Sequence, residues 1–110
     1  LINSAVMEVF AFKMMLCAGH AEEYKKRHDL IWPELKGLLK DHGISDYSIF
    51  LDDESHFLFG KMTVENVASL TSLPESPLMK KWWEYMKDIM VTNDDASPVS
   101  IPLKQVFFME

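Results

Sequence analysis

The stretch Glu8-Val9-Phe10-Ala11-Phe12-Lys13-Met14-Met15-Leu16-Cys17 decides the fold of this chain. Its even positions, Phe10, Phe12, Met14 and Leu16, are all apolar, and its odd positions, Val9, Ala11, Lys13, Met15 and Cys17, are mostly so. Alternation that is apolar on both sides reads as a strand in a sheet covered on both faces. Downstream of it, His20 to His42 has helical spacing and closes at Gly43, where a helix commonly enters the left-handed region. Pro33 breaks that helix near Asp29–Trp32, because its ring clashes with the carbonyl four residues back. Asp46–Asp52 and His56–Met62 form a hairpin about Asp53-Glu54-Ser55, again apolar on both faces. Glu65–Leu70 suits a short helical turn. Ser76 is placed to cap a second helix, with Pro77 in its first turn, running to about Val91. Asn93–Pro98 is a loop by composition, and Leu103–Met109 reads as a closing strand.

The resulting order, β-α-β-β-α-β, is the ferredoxin-like pattern of the α+β class: a four-stranded antiparallel sheet with helices on one face. Two helices cover one face only, whereas the strands are apolar on both. The cheapest cover for the second face is another copy of the chain, so a homodimer with its sheets face to face is expected. Residues 8–110 are read as a single domain. Residues 1–7, short, uncharged and without an initiator Met, are read as an N-terminal extension outside it and not as a signal peptide.

Composition narrows the classes of function. With 110 residues, a formal charge of -6 and no basic run beyond Lys25-Lys26-Arg27, neither nucleic acid nor an anionic membrane is an expected partner. No apolar stretch approaches the roughly 18–20 residues that span a bilayer. The single cysteine, Cys17, has no internal disulfide partner, which fits a reducing cytoplasm. It also has no basic neighbour to activate it as a nucleophile. His20, His28, His42 and His56 show no metal-ligand spacing, and Gly19, Gly37, Gly43 and Gly60 are isolated, so neither a metal nor a phosphate-bearing cofactor is expected. Glu22-Glu23 and Lys25-Lys26-Arg27 read as solvated helix surface.

Tyr24, His28, Ile31, Leu35, Leu38 and His42 fall three and four apart, on the helical stripe that faces the sheet. An inward histidine judged alone is more often structural than catalytic. Its alternative is a general acid/base beside a phenol, since histidine titrates nearest neutral pH. Three further features favour chemistry: Trp32 at the proline break, Tyr47 on the Ile49/Leu51 strand face, and adjacent Trp82 and Trp83 on the last helix. Tryptophans beside Tyr and His suit a sugar, with flat faces for C–H contact and polar edges for hydroxyls. Aromatic stripes in small domains are nonetheless commoner as core, and the residues alone leave both readings open.

The run Glu23-Tyr24-Lys25-Lys26-Arg27-His28-Asp29-Leu30-Ile31-Trp32-Pro33-Glu34-Leu35 closely resembles the signature E-Y-x-x-R-H-x-x-I-W-P-E-L of the L-rhamnose mutarotase family. Asp46-Tyr47-Ser48-Ile49, Met79-Lys80-Lys81-Trp82-Trp83, Asn93 through Val99, and Val106-Phe107-Phe108 extend the resemblance in order, from Val9 to Met109. It implies a dimeric α+β barrel that interconverts the α and β anomers of L-rhamnose without a cofactor. It also implies that His28 is the proton donor and that Tyr24, Tyr47, Trp82 and Trp83 bind the sugar. Ring opening needs a proton delivered to the ring oxygen and one removed from the anomeric hydroxyl, so His28 is expected to supply the first and Tyr24 or Tyr47 to orient or accept from the second. Trp32 matches a motif position with no assigned sugar contact. The chain departs from the pattern at Asn93-Asp94-Asp95, where the family loop often reads Asn-Pro-Asp. Two other classes suit the same elements: a small dimeric cofactor-free monooxygenase, and a non-catalytic sugar-binding module.

Overall fold

β1 (Glu8–Met15) lies inside a four-stranded antiparallel sheet of order β2-β3-β1-β4, with β2 at Ile44–Leu51, β3 at Phe57–Val64 and β4 at Ile101–Pro102. The computed structural model describes residues 7–110, so of the expected extension over residues 1–7 all but Met7 lies outside the described residues. The helical segment after β1 divides where proline chemistry requires it, into α1 (Ala21–Asp29) and α2 (Pro33–Asp41). α3 spans Pro77–Met86. The order and pairing are those of the ferredoxin-like α+β fold.

Helices and sheet meet on the even face of β1. Phe12, Met14 and Leu16 are buried there against Tyr24 of α1, Leu35 of α2, and Met79, Trp82 and Met86 of α3. Phe12 faces Gly60 across the β1–β3 ladder, and a Cβ on that glycine would lie 2.3 Å from Phe12 Cζ. Only glycine lets the ring lie flat over β3 at this point. Gly43 has the left-handed φ of 77° that the helix ending called for. Just beyond it, β2 carries a bulge between Ser45 and Ser48, with Asp46 at φ 48°. The extra residue shifts the side-chain parity by one, so that Ile44 on one side and Tyr47, Ile49 and Leu51 on the other share the inner face.

Four expectations need correction. The closing strand is Ile101–Pro102, opposite Lys13 and Phe12, and not Leu103–Met109. Leu103 N–H still donates to the Ala11 carbonyl, but past it the chain leaves the sheet. Val106, Phe107 and Phe108, apolar in succession, call for cover on both sides that the described residues do not supply beyond β4; they are 88%, 77% and 68% exposed. α3 stops at Met86, with a 3₁₀ turn over Lys87–Ile89, because Met90 is extended (φ -120°, ψ 151°) and bridges Leu16. Ser76 stands at the N-cap of α3 without a side-chain capping bond. The expected helical turn at Glu65–Leu70 appears slightly later, as 3₁₀ turns over Val67–Thr71 and Leu73–Glu75.

Among the described residues, no helix covers the odd face of β1. Val9, Met15 and Phe50 are exposed on it, as the two-sided apolar pattern requires of a single copy.

Candidate functional site

A cavity of about 1120 Å³ opens between α1, α3 and the inner face of the sheet, lined by His28, Tyr24, Tyr47, Trp82 and Trp83 among others. The same five residues line a smaller recess of about 90 Å³. The five residues expected to meet the sugar are thus on one wall system. The bulge in β2 brings Tyr47 there, the stripe on α1 brings Tyr24 and His28, and α3 supplies the two indoles.

His28 is held on three sides. Its ring stacks on Tyr24 with centroids 4.2 Å apart and meets the Trp82 edge at 5.4 Å and 88°. Nδ1 lies 3.0 Å from the backbone carbonyl oxygen of Tyr24. A carbonyl only accepts, so Nδ1 carries the hydrogen and donates it. In the neutral ring Nε2 is then the nitrogen with the free lone pair. Burial lowers the His28 pKa from its ordinary value, with the carbonyl bond and Asp29 opposing that shift in part. His28 therefore rests near neutral pH as a base.

The two phenols are driven the other way. Burial, and secondarily Tyr47, holds the Tyr24 hydroxyl protonated well beyond the ordinary tyrosine range. Desolvation raises Tyr47 as well. Both act as neutral O–H groups at any ordinary pH. Among the described residues no hydrogen bond reaches Nε2 of His28, either phenol or either indole N–H, yet no buried polar side-chain atom lacks a partner. The polar tips of His28, Tyr24, Trp82 and Trp83 therefore lie at accessible surface, and Tyr47 is itself an exposed residue, so a ligand with hydroxyls would meet them.

Trp82 is 6% exposed and Trp83 half-buried, as two residues about 100° apart on a helix should differ. Trp32 does not line the cavity; its ring meets Trp82 edge-on at 5.0 Å and backs that wall. His, Cys, Asp and Glu nowhere gather in threes suited to a metal ion among the described residues.

Two features escaped the sequence. Arg27 was expected on the solvated surface, but its side chain is only 11% exposed. Nε donates to Glu23 at 2.7 Å, Nη1 to the Tyr85 carbonyl at 2.9 Å and to Asp88 Oδ1 at 2.8 Å, and Nη2 to Asp88 Oδ2 at 3.1 Å. It fastens α1, one residue before His28, to the end of α3. The bonds to Asp88 and Glu23 raise the Arg27 pKa further, so the clamp is charged throughout. The second feature is the 93–98 loop, which is a closed turn even with Asp94 where the family loop often has proline. Asn93 N–H donates to the Ser97 carbonyl at 2.8 Å, Ala96 N–H to the Asn93 carbonyl at 3.0 Å, and Asn93 Nδ2 to Ser97 Oγ at 3.0 Å. Buried Ala96 accepts a left-handed φ of 72° to close it, and Asp95 and Ser97 are placed on the cavity wall.

The family model for L-rhamnose mutarotase matches residues 9–109. The chain is 53% identical over 104 residues to the L-rhamnose mutarotase of Formosa agariphila, covering 94% of this chain and 100% of that one. It is 54% identical over 103 residues to that of Sinorhizobium fredii, covering 94% and 99%. The crystal structure of the Formosa agariphila L-rhamnose mutarotase superposes with a TM-score of 0.87 at 52% identity, over 94% of this chain and 99% of that one. A Nitrosomonas europaea structure bearing the antibiotic biosynthesis monooxygenase name superposes over 97% of both chains with a TM-score of 0.61 at 11% identity, a likeness of fold alone.

Proposed function

The chain belongs to the L-rhamnose mutarotase family, and from that premise we propose that it interconverts the α and β anomers of L-rhamnose, with His28 moving the proton. The observation that carries the assignment to His28 is its Nδ1–H bond to the Tyr24 carbonyl, which leaves Nε2 as a base inside an aromatic cavity. The activity makes the chain an isomerase acting on a carbohydrate.

Mutarotation moves one proton between two oxygens bonded to the same carbon. Nε2 takes the hydrogen of the anomeric hydroxyl; the oxygen lone pair forms the aldehyde C=O as the bond from C1 to the ring oxygen breaks. That bond pair passes to the ring oxygen, which takes the proton back from the imidazolium. Rotation about C1–C2 presents the other carbonyl face, and the same steps in reverse close the ring as the other anomer. His28 is thus the donor to the ring oxygen in the second half of a cycle it begins as a base. A proton-transfer group so placed contributes about 10²–10⁴-fold. Tyr24 and Tyr47, both held protonated, orient hydroxyls and do not take the proton themselves. The faces of Trp82 and Trp83 suit the apolar side of a 6-deoxy sugar, its methyl included.

The uncovered odd face and the exposed Val106-Phe107-Phe108 segment support a homodimer, with residues 8–110 as one domain of each protomer. No helix among the described residues is long and apolar enough to cross a membrane. The lone, unpaired Cys17 supports a cytoplasmic setting. Exchange NMR of L-rhamnose with the wild-type protein tests the function: cross-peaks linking the two anomeric protons should build up far faster than in buffer. A rate equal to that in buffer overturns the reading, and oxygen uptake with an aromatic substrate would replace it.

A further inference from the structure

We propose that Asp95 is a substrate-binding residue, its outer carboxylate oxygen accepting a hydroxyl hydrogen of the sugar at the rim of the His28 cavity. The inference rests on the mutarotase reading and adds to it a recognition contact on the 93–98 turn.

Five charged residues line the cavity: Glu22, Lys25, Asp29, Lys36 and Asp95. Lys25 and Asp29 pair with each other at 2.7 Å on the outside of α1. Glu22 is exposed in the first turn of that helix, and no hydrogen bond fixes its carboxylate among the described residues. Asp95 is exposed as well, but its carboxylate is built into place. Oδ1 accepts the Ser97 N–H at 3.0 Å and also the Ser97 hydroxyl, which in turn accepts from Asn93 Nδ2. Both anchoring bonds go to one oxygen. Oδ2 receives none among the described residues, so the carboxylate is oriented by one oxygen and available at the other. The Ser97 bonds also keep the group well below the usual carboxylate range, so it is ionised wherever the enzyme is folded near neutral pH.

Donor and acceptor bookkeeping gives this oxygen its purpose. The indole N–H groups of Trp82 and Trp83 only donate, and Nε2 of His28 is committed to the reacting oxygens. Tyr24 and Tyr47 can accept, but each presents a single oxygen. A pyranose brings a hydrogen on every hydroxyl, and an acceptor held in place on the wall gives one of them a defined partner. A fixed, ionised carboxylate is the strongest acceptor available and bonds a hydroxyl roughly twice as well as a neutral oxygen does. The contact should favour sugars bearing that hydroxyl, because without it the ionised oxygen is left to water at the cavity rim.

Asp95→Asn keeps a carbonyl oxygen for the Ser97 bonds and replaces the free acceptor by an N–H₂ donor. Quenching of Trp82 and Trp83 fluorescence by L-rhamnose should show its Kd raised by roughly tenfold or more. The exchange rate at saturating sugar should stay within about threefold, as a contact made equally in ground and transition states leaves kcat alone. Ser97→Ala removes the hydroxyl from the anchored oxygen and leaves the free one, so its Kd should stay within about threefold of wild type. A monodeoxy series closes the test: the analogue lacking the bound hydroxyl should lose affinity for wild type and show no further loss in Asp95→Asn. Unchanged Kd in Asp95→Asn overturns the assignment, as does an equal loss in Ser97→Ala, which would place the effect in the turn. Failure of the wild type to speed anomer exchange would instead overturn the mutarotase reading beneath it.

Discussion

His28 gains its chemistry from a hydrogen bond to its own helix. The Tyr24 carbonyl four residues back fixes which ring nitrogen holds the hydrogen, and burial keeps the other nitrogen unprotonated. The sign of the pH dependence follows. Burial lowers the His28 pKa, so the active, neutral ring persists below the ordinary histidine value of about 6.5. Measured as kcat/KM by exchange NMR, activity should be level from about pH 7 to 9 and fall only as pH drops below that ordinary value. Neither phenol should produce an alkaline limb below about pH 10, since both are raised above that value. An activity that rises toward acid would contradict the base role. The same lowered pKa means the unfolded chain binds the extra proton first, so His28 also costs stability as pH falls through this window. At this scale the inward stripe from Tyr24 to His42 was legible in three-and-four spacing. The tautomer was not, because it depends on a backbone atom that any residue at position 24 would supply.

Between elements, Arg27 is the joint that keeps His28 and Trp82 in register. Its fork spans from α1 to Asp88 and the Tyr85 carbonyl, and its guanidinium carbon lies 4.7 Å from the Tyr85 ring centre, the ring that packs on Trp32 and Trp82. Lysine keeps the charge but cannot fill a two-oxygen fork and a carbonyl together. Arg27→Lys should therefore lower the exchange rate at saturating sugar, by up to about 10²-fold for a displacement near 1 Å, with KM little changed. Unaltered kcat with only a lowered melting temperature would show the joint to be structural alone. Sequence reading put Arg27 on the surface because Lys25-Lys26-Arg27 looks like a uniform charge run. Its partner lies 61 residues away, at Asp88, and no local pattern reports such a pairing. The kink at Pro33 and the turn at Gly43, by contrast, follow from covalent geometry and were readable in full. The bulge at Asp46 was not, although the Tyr47/Ile49/Leu51 face was read correctly.

At the scale of the whole molecule, the sheet's second face and the segment after β4 pose one question. Val9, Met15 and Phe50 are exposed on the sheet, and Val106, Phe107, Phe108 and Met109 beyond it. The two-sided apolar pattern of β1, whose odd face exposes Val9 and Met15, was legible. The path of Leu103–Met109 was not, because a segment that finds no place on its own sheet cannot be registered from its own chain. If a second copy covers these groups, Phe107→Asp with Phe108→Asp should convert a dimer into a monomer in sedimentation velocity, with the monomer still folded. A wild type that sediments as a monomer at micromolar concentration would overturn the homodimer. The central claim, that this molecule turns over L-rhamnose anomers through one histidine, is tested most directly by exchange NMR on His28→Asn. Sugar binding, read by tryptophan fluorescence, should persist while the enzymatic exchange rate falls by about 10²–10⁴-fold. Exchange at the wild-type rate with unchanged affinity would contradict it.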